Sequence, residues 1–505
     1  MEYLHTHSLS TMLALLSAAG LIVALFSMDE VRARNISLFS SIAVLGIAMK
    51  QYFSLFTPAN TSLQLVETYH WMGKIKFALG VDGLSFSMVL LMAILLPCVI
   101  IASEPIAKKK QPRLYYSLLM FLAVAVMMVF MAKDLFLFFL AWELELIPMY
   151  LLIAIWGSKN RNYASMKFLL YTFAAGILLL VGLFWLLTVT GFSSFDMVTV
   201  AELSSHLDIK TQTGIFILIA LCFLVKLPSV PFHTWLPDAH VEAPTPISML
   251  LAGILLKMGC YGLIRFGLDF FPAVVTELAA GFAILGAINI LYAAYTALIQ
   301  KDLKKVIAYS SVSHMGFILL GMATLNTAGY SGAVFQMFSH GLISAALFML
   351  VGMIYERAHT RDISELGGLA KVMPKTFYIF VFAAMANLAL PGLSGFVGES
   401  LVFYGIFSSE VVAGVFNPIK ASAAVAALGV ILTAAYMLWL NQRVFYGAIQ
   451  DKWLKLTDAR RPELLVLGVL LGLSLIYGLY PKFINDLYEP QLNKLASYSS
   501  PILTA

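Results

Sequence analysis

Seven ionisable side chains stand where the surrounding sequence is otherwise apolar: Glu143, Glu145, Lys226, Lys257, His314, His340 and Glu399. Each lies within or beside a run long enough to cross a bilayer. An ionisable group at that depth costs at least about 2.5–3.5 kcal/mol, so each calls for a partner or a function. The chemistry this set shares is proton exchange. Desolvation raises the pKa of a carboxylate and lowers that of an ammonium, bringing both toward neutrality, where histidine already titrates. An alternation of Glu, Lys, His and Glu can accept and pass on a proton at every step.

Each residue also has an ordinary structural reading. Glu143 and Glu145 are two apart, which on a continuous helix places them about 200° apart. They are therefore expected to face different surroundings, with Glu143 in the relay and Glu145 either a structural partner or the alternative member. His314 and His340 are candidate relay groups, although buried histidines also serve as hydrogen-bonded packing between helices. His233 and His240, in Val-Pro-Phe-His-Thr-Trp-Leu-Pro-Asp-Ala-His, are candidates for a proton inlet. Arg265 lies near a helix end and reads as a snorkelling side chain. Cys98, Cys222 and Cys260 fall in apolar runs with no CxxC and no Cys/His pairing, so neither a disulfide nor a metal site is expected.

The elements that must position these groups follow from composition. Of 505 residues, 61% are hydrophobic and 12% charged, with a mean hydropathy of +0.88. Soluble domains carry about 25% charged residues, so lipid is the solvent for most of this chain. Crossing the hydrocarbon core takes about 20 apolar residues. Such runs predict about fourteen helices, near 9–28, 36–56, 84–103, 113–132, 134–155, 165–190, 212–230, 245–268, 273–299, 306–324, 331–355, 376–411, 421–442 and 463–480. The fold class is all-α integral membrane.

Two of these helices are expected to be broken. The seventh is interrupted by Pro228 and Pro231, and the twelfth by Pro391, Gly392 and Gly395. A broken helix frees backbone groups that lipid cannot satisfy, so it must line protein or a hydrated cavity. Breaks at corresponding places in two halves point to a transport site, and Lys226 and Glu399 each lie beside one. The organisation expected is an N-terminal part (residues 1–112), two inverted five-helix repeats (helices 4–8, residues 113–268; helices 9–13, residues 269–442) and a C-terminal helix and tail (residues 443–505).

Charge sets the orientation. Alternate loops, beginning with the one after the first helix, hold 21 Lys and Arg residues; the opposite loops and the C-terminal tail hold seven. The rich set faces the cytoplasm or its equivalent, and an even helix count puts both termini on the other side. The N-terminus lacks the basic flank of a cleavable signal peptide, so the first helix is expected to be retained. There is no basic stripe with interleaved aromatics, and a nucleic-acid partner is not expected. Nothing resembles a dinucleotide fingerprint or a P-loop. NADH, ATP and iron–sulfur sites are therefore expected on partners.

Three long segments make the chain recognisable. They are Lys226-Leu-Pro-Ser-Val-Pro-Phe-His-Thr-Trp-Leu-Pro-Asp-Ala-His240 with Leu-Ala-Gly-Ile-Leu-Leu-Lys257, then Lys301-Asp-Leu-Lys-Lys-Val-Ile-Ala-Tyr-Ser-Ser-Val-Ser-His-Met-Gly316, and Leu390-Pro-Gly-Leu-Ser-Gly-Phe-Val-Gly-Glu399. The whole chain resembles the antiporter-like, proton-pumping subunits of complex I. Within them it is most similar to the chain 4 type, because Glu399 is acidic where sister subunits carry lysine and the chain stops after helix 14. Trp142-Glu-Leu-Glu-Leu-Ile-Pro148 looks like the photosynthetic members, which implies a cyanobacterial or plastid complex in the thylakoid membrane, with a plasma or inner membrane as the alternative.

The resemblance implies a relay through Glu143 paired with Lys226, then Lys257, His314 and Glu399, coupled to quinone reduction elsewhere. It implies no cofactor on this chain; NAD(P)H or ferredoxin, iron–sulfur clusters and plastoquinone or another quinone belong to partner subunits. The implied partners are the other membrane-arm subunits, especially the chain 5 and chain 2 types, and the lipid bilayer. Glu145 is a second carboxylate where many chain 4 proteins have none, which leaves the order at helix 5 open. A subunit of an Mrp-type Na⁺/H⁺ antiporter, of a membrane-bound hydrogenase, or of a CO2-uptake variant of the same complex is the alternative.

Overall fold

The computed structural model describes residues 7–26, 29–409 and 417–499. Among the described residues, thirteen helices are long and apolar enough to cross a membrane. The segment expected at 376–411 is instead two shorter helices, with its last two positions outside the described residues. In chain order the helices used below are α1 (Ser8–Leu25), α2 (Glu30–Lys50), α3 (Gly83–Ala102), α4 (Pro112–Met131), α5 (Leu135–Leu144), α6 (Leu146–Trp156), α7 (Arg161–Val189), α8 (Met197–Ser204) and α9 (Ile209–Lys226). They continue with α10 (Trp235–Glu242), α11 (Thr245–Phe270), α12 (Pro272–Leu298), α13 (Leu303–Met322) and α14 (Thr327–Ala358). The last are α15 (Pro374–Asn387), α16 (Ser394–Ser408), α17 (Pro418–Phe445), α18 (Arg461–Leu479) and α19 (Lys482–Ser499).

The loop carboxylates have a common local task. Asp29, Asp82, Asp134, Asp196, Asp208 and Asp302 each stand immediately before a helix and accept backbone N–H bonds from its first turn. Those N–H groups have no partner within the helix, and a side-chain oxygen there stabilises the helix by roughly 1 kcal/mol.

The chain folds as two units, one of Met1–Leu227, Ile254–Leu278 and Asp486–Ala505, the other of Pro228–Gly253 and Ala279–Asn485. The first unit contains an element that the all-α expectation omits, an antiparallel hairpin of β1 (Gln64–Met72) and β2 (Ile75–Val81), with Glu67 opposite Leu79 and His70 opposite Lys76. Glu67 accepts from the N–H groups of Leu9 (2.6 Å) and Ser10 at the start of α1. The hairpin also grips the α4–α5 junction: Lys133 N–H donates to Ala78 O (2.9 Å) and Lys76 N–H to Asp134 Oδ2 (3.0 Å).

Three departures from simple helices matter for the site. Helix 5 is interrupted at Glu145, between α5 and α6. Pro148 supplies no N–H and its ring crowds the carbonyl four residues back, at Leu144. Within α11, Leu251–Leu255 and Phe266–Phe270 are π-helical; such widened turns shift the register of the residues that follow, and Lys257 is the second residue after the first. Both expected breaks are present, α9 ending at Lys226 and α15 separated from α16 by residues 388–393.

Candidate proton-relay site

In the first unit, Lys226 is the last residue of α9 and is 2% exposed. A cation at a helix C-terminus is favoured by the unsatisfied carbonyls there. Its ammonium forms an ion pair with Glu145, which is fully buried. The aromatic faces of Phe168 and Trp142 lie 5.4 and 5.8 Å from the ammonium. The structure thus departs from the expected pairing, since the carboxylate in contact with Lys226 is Glu145, not Glu143. Glu145 keeps a right-handed helical backbone (φ −68°, ψ −23°), so the two carboxylates face different surroundings as expected, and the face turned to the end of α9 is that of Glu145. Glu143 is half-buried, packs against Gly176 of α7 and still lies within electrostatic reach of Lys226.

Lys257 is completely buried in α11. Two residues further on, Gly259 lets the α11 backbone press on the end of α9. A Cβ there would sit 2.6 Å from the Leu227 nitrogen and 3.0 Å from Lys226 Cβ. That close approach draws the two lysine-bearing helices of this unit together.

In the second unit, His314 on α13 has Nδ1 2.7 Å from Ser310 O and Nε2 3.0 Å from Asn387 O. Asn387 ends α15, so its carbonyl is one that the break leaves without an intrahelical partner. A neutral imidazole donates from one nitrogen only, so both carbonyls accept at once only when the ring is protonated. The Glu399 carboxylate on α16, 6% exposed, lies 3.6 Å from His314 Nε2. The ring of His340 on α14 lies 5.4 Å from that of His314. Gly398 admits α14 at this point, because a Cβ would stand 3.1 Å from the Gln336 main chain.

His233 and His240 are not in an open loop. His233 is 3% exposed, with its ring edge-on to Tyr292 at 5.2 Å; His240 lies within α10, fully buried and stacked on Phe348 at 4.3 Å. Arg265 does not snorkel. It is 5% exposed and donates to Asp82 (2.7 Å) and Asp269 (2.7 Å). Asp269 is one helical turn from Arg265, a sequence signal for a pair, but Asp82 is 183 positions away and gave none. Lys304, counted among the loop cations, is buried in α13 and donates to Ala243 O at 2.6 Å. With Arg361 on Val241 O, it caps the C-terminal carbonyls of α10. Neither cation was singled out by sequence.

Comparison with known proteins places this architecture. Residues 132–423 match the family described as NADH:quinone oxidoreductase/Mrp antiporter, TM, and residues 35–129 match NADH-ubiquinone oxidoreductase chain 4, amino terminus. NAD(P)H-quinone oxidoreductase chain 4 3 of Trichormus variabilis is 44% identical over 92% of this chain and 86% of its own length. NAD(P)H-quinone oxidoreductase chain 4 of Acaryochloris marina is 44% identical over 89% and 84%.

The chain belongs to the NAD(P)H-quinone oxidoreductase chain 4 family.

As a chain 4 protein it shares its fold with a chain of respiratory complex I from Thermus thermophilus (TM-score 0.86, 24% identity, 97% of this chain and 99% of that one). It also shares it with a chain of the Mrp complex from Dietzia sp. DQ12-45-1b (TM-score 0.85, 21% identity, 99% of each). Glu143 and Glu145, Lys226, Lys257, His314, His340 and Glu399 all lie in the 132–423 match.

Proposed function

We propose that this chain 4 protein is a proton-translocating membrane subunit of a quinone oxidoreductase. In this reading its proton carriers are Glu145 with Glu143, Lys226 and Lys257 in one unit, and His314 and Glu399 in the other. The observation that carries the reading is that each unit holds a buried carboxylate beside a basic side chain at a helix break, Glu145 with Lys226 and Glu399 with His314. In a low-dielectric site a pair interacts strongly, and parting it leaves two poorly solvated charges. A charge change next to the Glu145–Lys226 contact can therefore drive a proton off the lysine.

The electron path runs through partner subunits: NAD(P)H or ferredoxin as donor, iron–sulfur clusters, and plastoquinone or another quinone as acceptor. The partners are other membrane-arm subunits, among them the chain 5 and chain 2 types. The cyanobacterial relatives favour the thylakoid membrane. Similarity of fold to the Mrp complex supports a second reading, Na⁺/H⁺ exchange, which Na⁺ dependence of transport distinguishes.

The test is Lys257→Met in the purified complex reconstituted into liposomes. The expected result is full subunit content, quinone reduction sustained with an uncoupler present, and clearly reduced proton pumping. Undiminished pumping would remove Lys257 from the path.

A further inference from the structure

The first unit holds a cavity of about 790 Å³ whose walls include Asp82, Lys133, Arg265 and Asp269, with Glu202 and Lys494 exposed at its rim. Its lining comes from residues 61–63, 82, 133, 197–205, 265–272 and 491–498. Every one of these segments falls in, or at the helix ends next to, a loop of the Lys/Arg-poor set or in the tail. By the positive-inside rule the cavity is on the face away from the cytoplasm.

Lys133 stands between the ends of α4 and α5 and is 4% exposed. Among the described residues its ammonium makes no hydrogen bond and no ion pair within 4 Å. A buried charge without such partners is costly, and the cavity is where water reaches it. Arg265 beside it is occupied by Asp82 and Asp269. Those three groups sum to one negative charge, which favours an arriving proton.

A polar line leads to this place from the middle of the membrane. Leu256–Arg265 is regular α-helix, so Lys257, Tyr261 and Arg265, spaced by four, lie along one face. Eight residues cover about 12 Å. The Tyr261 hydroxyl accepts from Arg265 Nε at 3.3 Å, which ties it to a residue of the cavity wall.

We propose that Lys133 is a proton-release group of the first unit, receiving protons from Lys257 by way of Tyr261 and discharging them into this cavity. The proposal rests on the proton-translocating reading and gives that unit an exit of its own, built from none of the second unit's residues. At each step one O–H or N–H bond breaks and one forms: the Lys257 ammonium gives a proton toward the Tyr261 oxygen, the hydroxyl passes its own onward, and the Lys133 amine takes it and then releases it to water. Burial, and then the Arg265 guanidinium, push the Lys133 ammonium down to about 8, against the opposing pull of Asp82, Asp269 and Asp196. Release near neutral pH follows.

The experiment measures protons per electron in liposomes for the whole complex carrying Lys133→Arg or Lys133→His. Arginine keeps the charge but does not titrate, so Lys133→Arg is expected to lose the protons this unit carries while subunit content stays normal. Lys133→His is expected to retain pumping with its pH dependence moved down by about one to two units. Wild-type proton yield from Lys133→Arg overturns the proposal, because a purely structural charge tolerates that change. If Lys133→Arg does not assemble, Tyr261→Phe decides: reduced yield supports the route and unchanged yield overturns it. A wild-type complex that does not pump overturns the underlying reading instead.

Discussion

The two buried acid–base pairs are built with different chemistry. In the first unit Lys226 meets Glu145 directly, at a helix C-terminus that itself favours the cation. In the second, Glu399 stands 3.6 Å from an imidazole that is already engaged by two carbonyls. Glu399 is the sixth residue of α16, beyond the first turn where a helix N-terminus favours an anion. The first pair is tight and resists separation. The second is looser, and its charge depends on the protonation of His314. The proposed relay uses this difference, with the first site holding its charge until it is pushed and the second letting a proton pass.

The comparison breaks most readily at Glu145. Glu145→Ala leaves the buried Lys226 ammonium without its partner, a loss of roughly 3–5 kcal/mol. A large fall in thermal midpoint and in assembled complex is expected on native gels. Glu143→Gln is expected to leave assembly near wild type, because Glu143 is not the contact. Equal damage from both would show that the two carboxylates share Lys226.

A smaller effect sharpens the second site. Gly398→Ala places a methyl group 3.1 Å from the Gln336 main chain, and overpacking of this kind costs about 1–3 kcal/mol. The titrating groups are untouched. Lower thermal stability with unchanged protons per electron in the assembled fraction is expected; a changed ratio would mean that α14–α16 spacing sets the His314–Glu399 geometry.

Much of this was legible in the sequence because lipid makes it so. Pro228, Pro391 and Gly392 mark breaks that no apolar neighbour can hide, and ionisable residues in apolar runs are conspicuous. What was not legible depended on backbone detail or on distant partners. The two-residue spacing of Glu143 and Glu145 showed that they face different surroundings, but which of them meets Lys226 depends on how the helix is turned toward α9, and packing sets that. Arg265 looked like a surface group because Asp82 lies far away in sequence. Lys304 looked like a loop cation because the carbonyls it caps belong to another element. The hairpin at 64–81 leaves little trace in the sequence, because a short amphipathic segment carries little signal beside two long apolar runs.

Titrating groups in this chain are proposed to carry protons, and Glu399→Gln is the sharpest test. Glutamine keeps the size and the hydrogen-bonding capacity beside His314 but cannot hold a proton for transfer. In liposomes containing the fully assembled complex, with quinone reduction monitored in parallel, the expected result is a clear fall in protons moved per electron. Any loss of electron transfer should be relieved by an uncoupler. A wild-type proton yield from an assembled Glu399→Gln complex would contradict the claim.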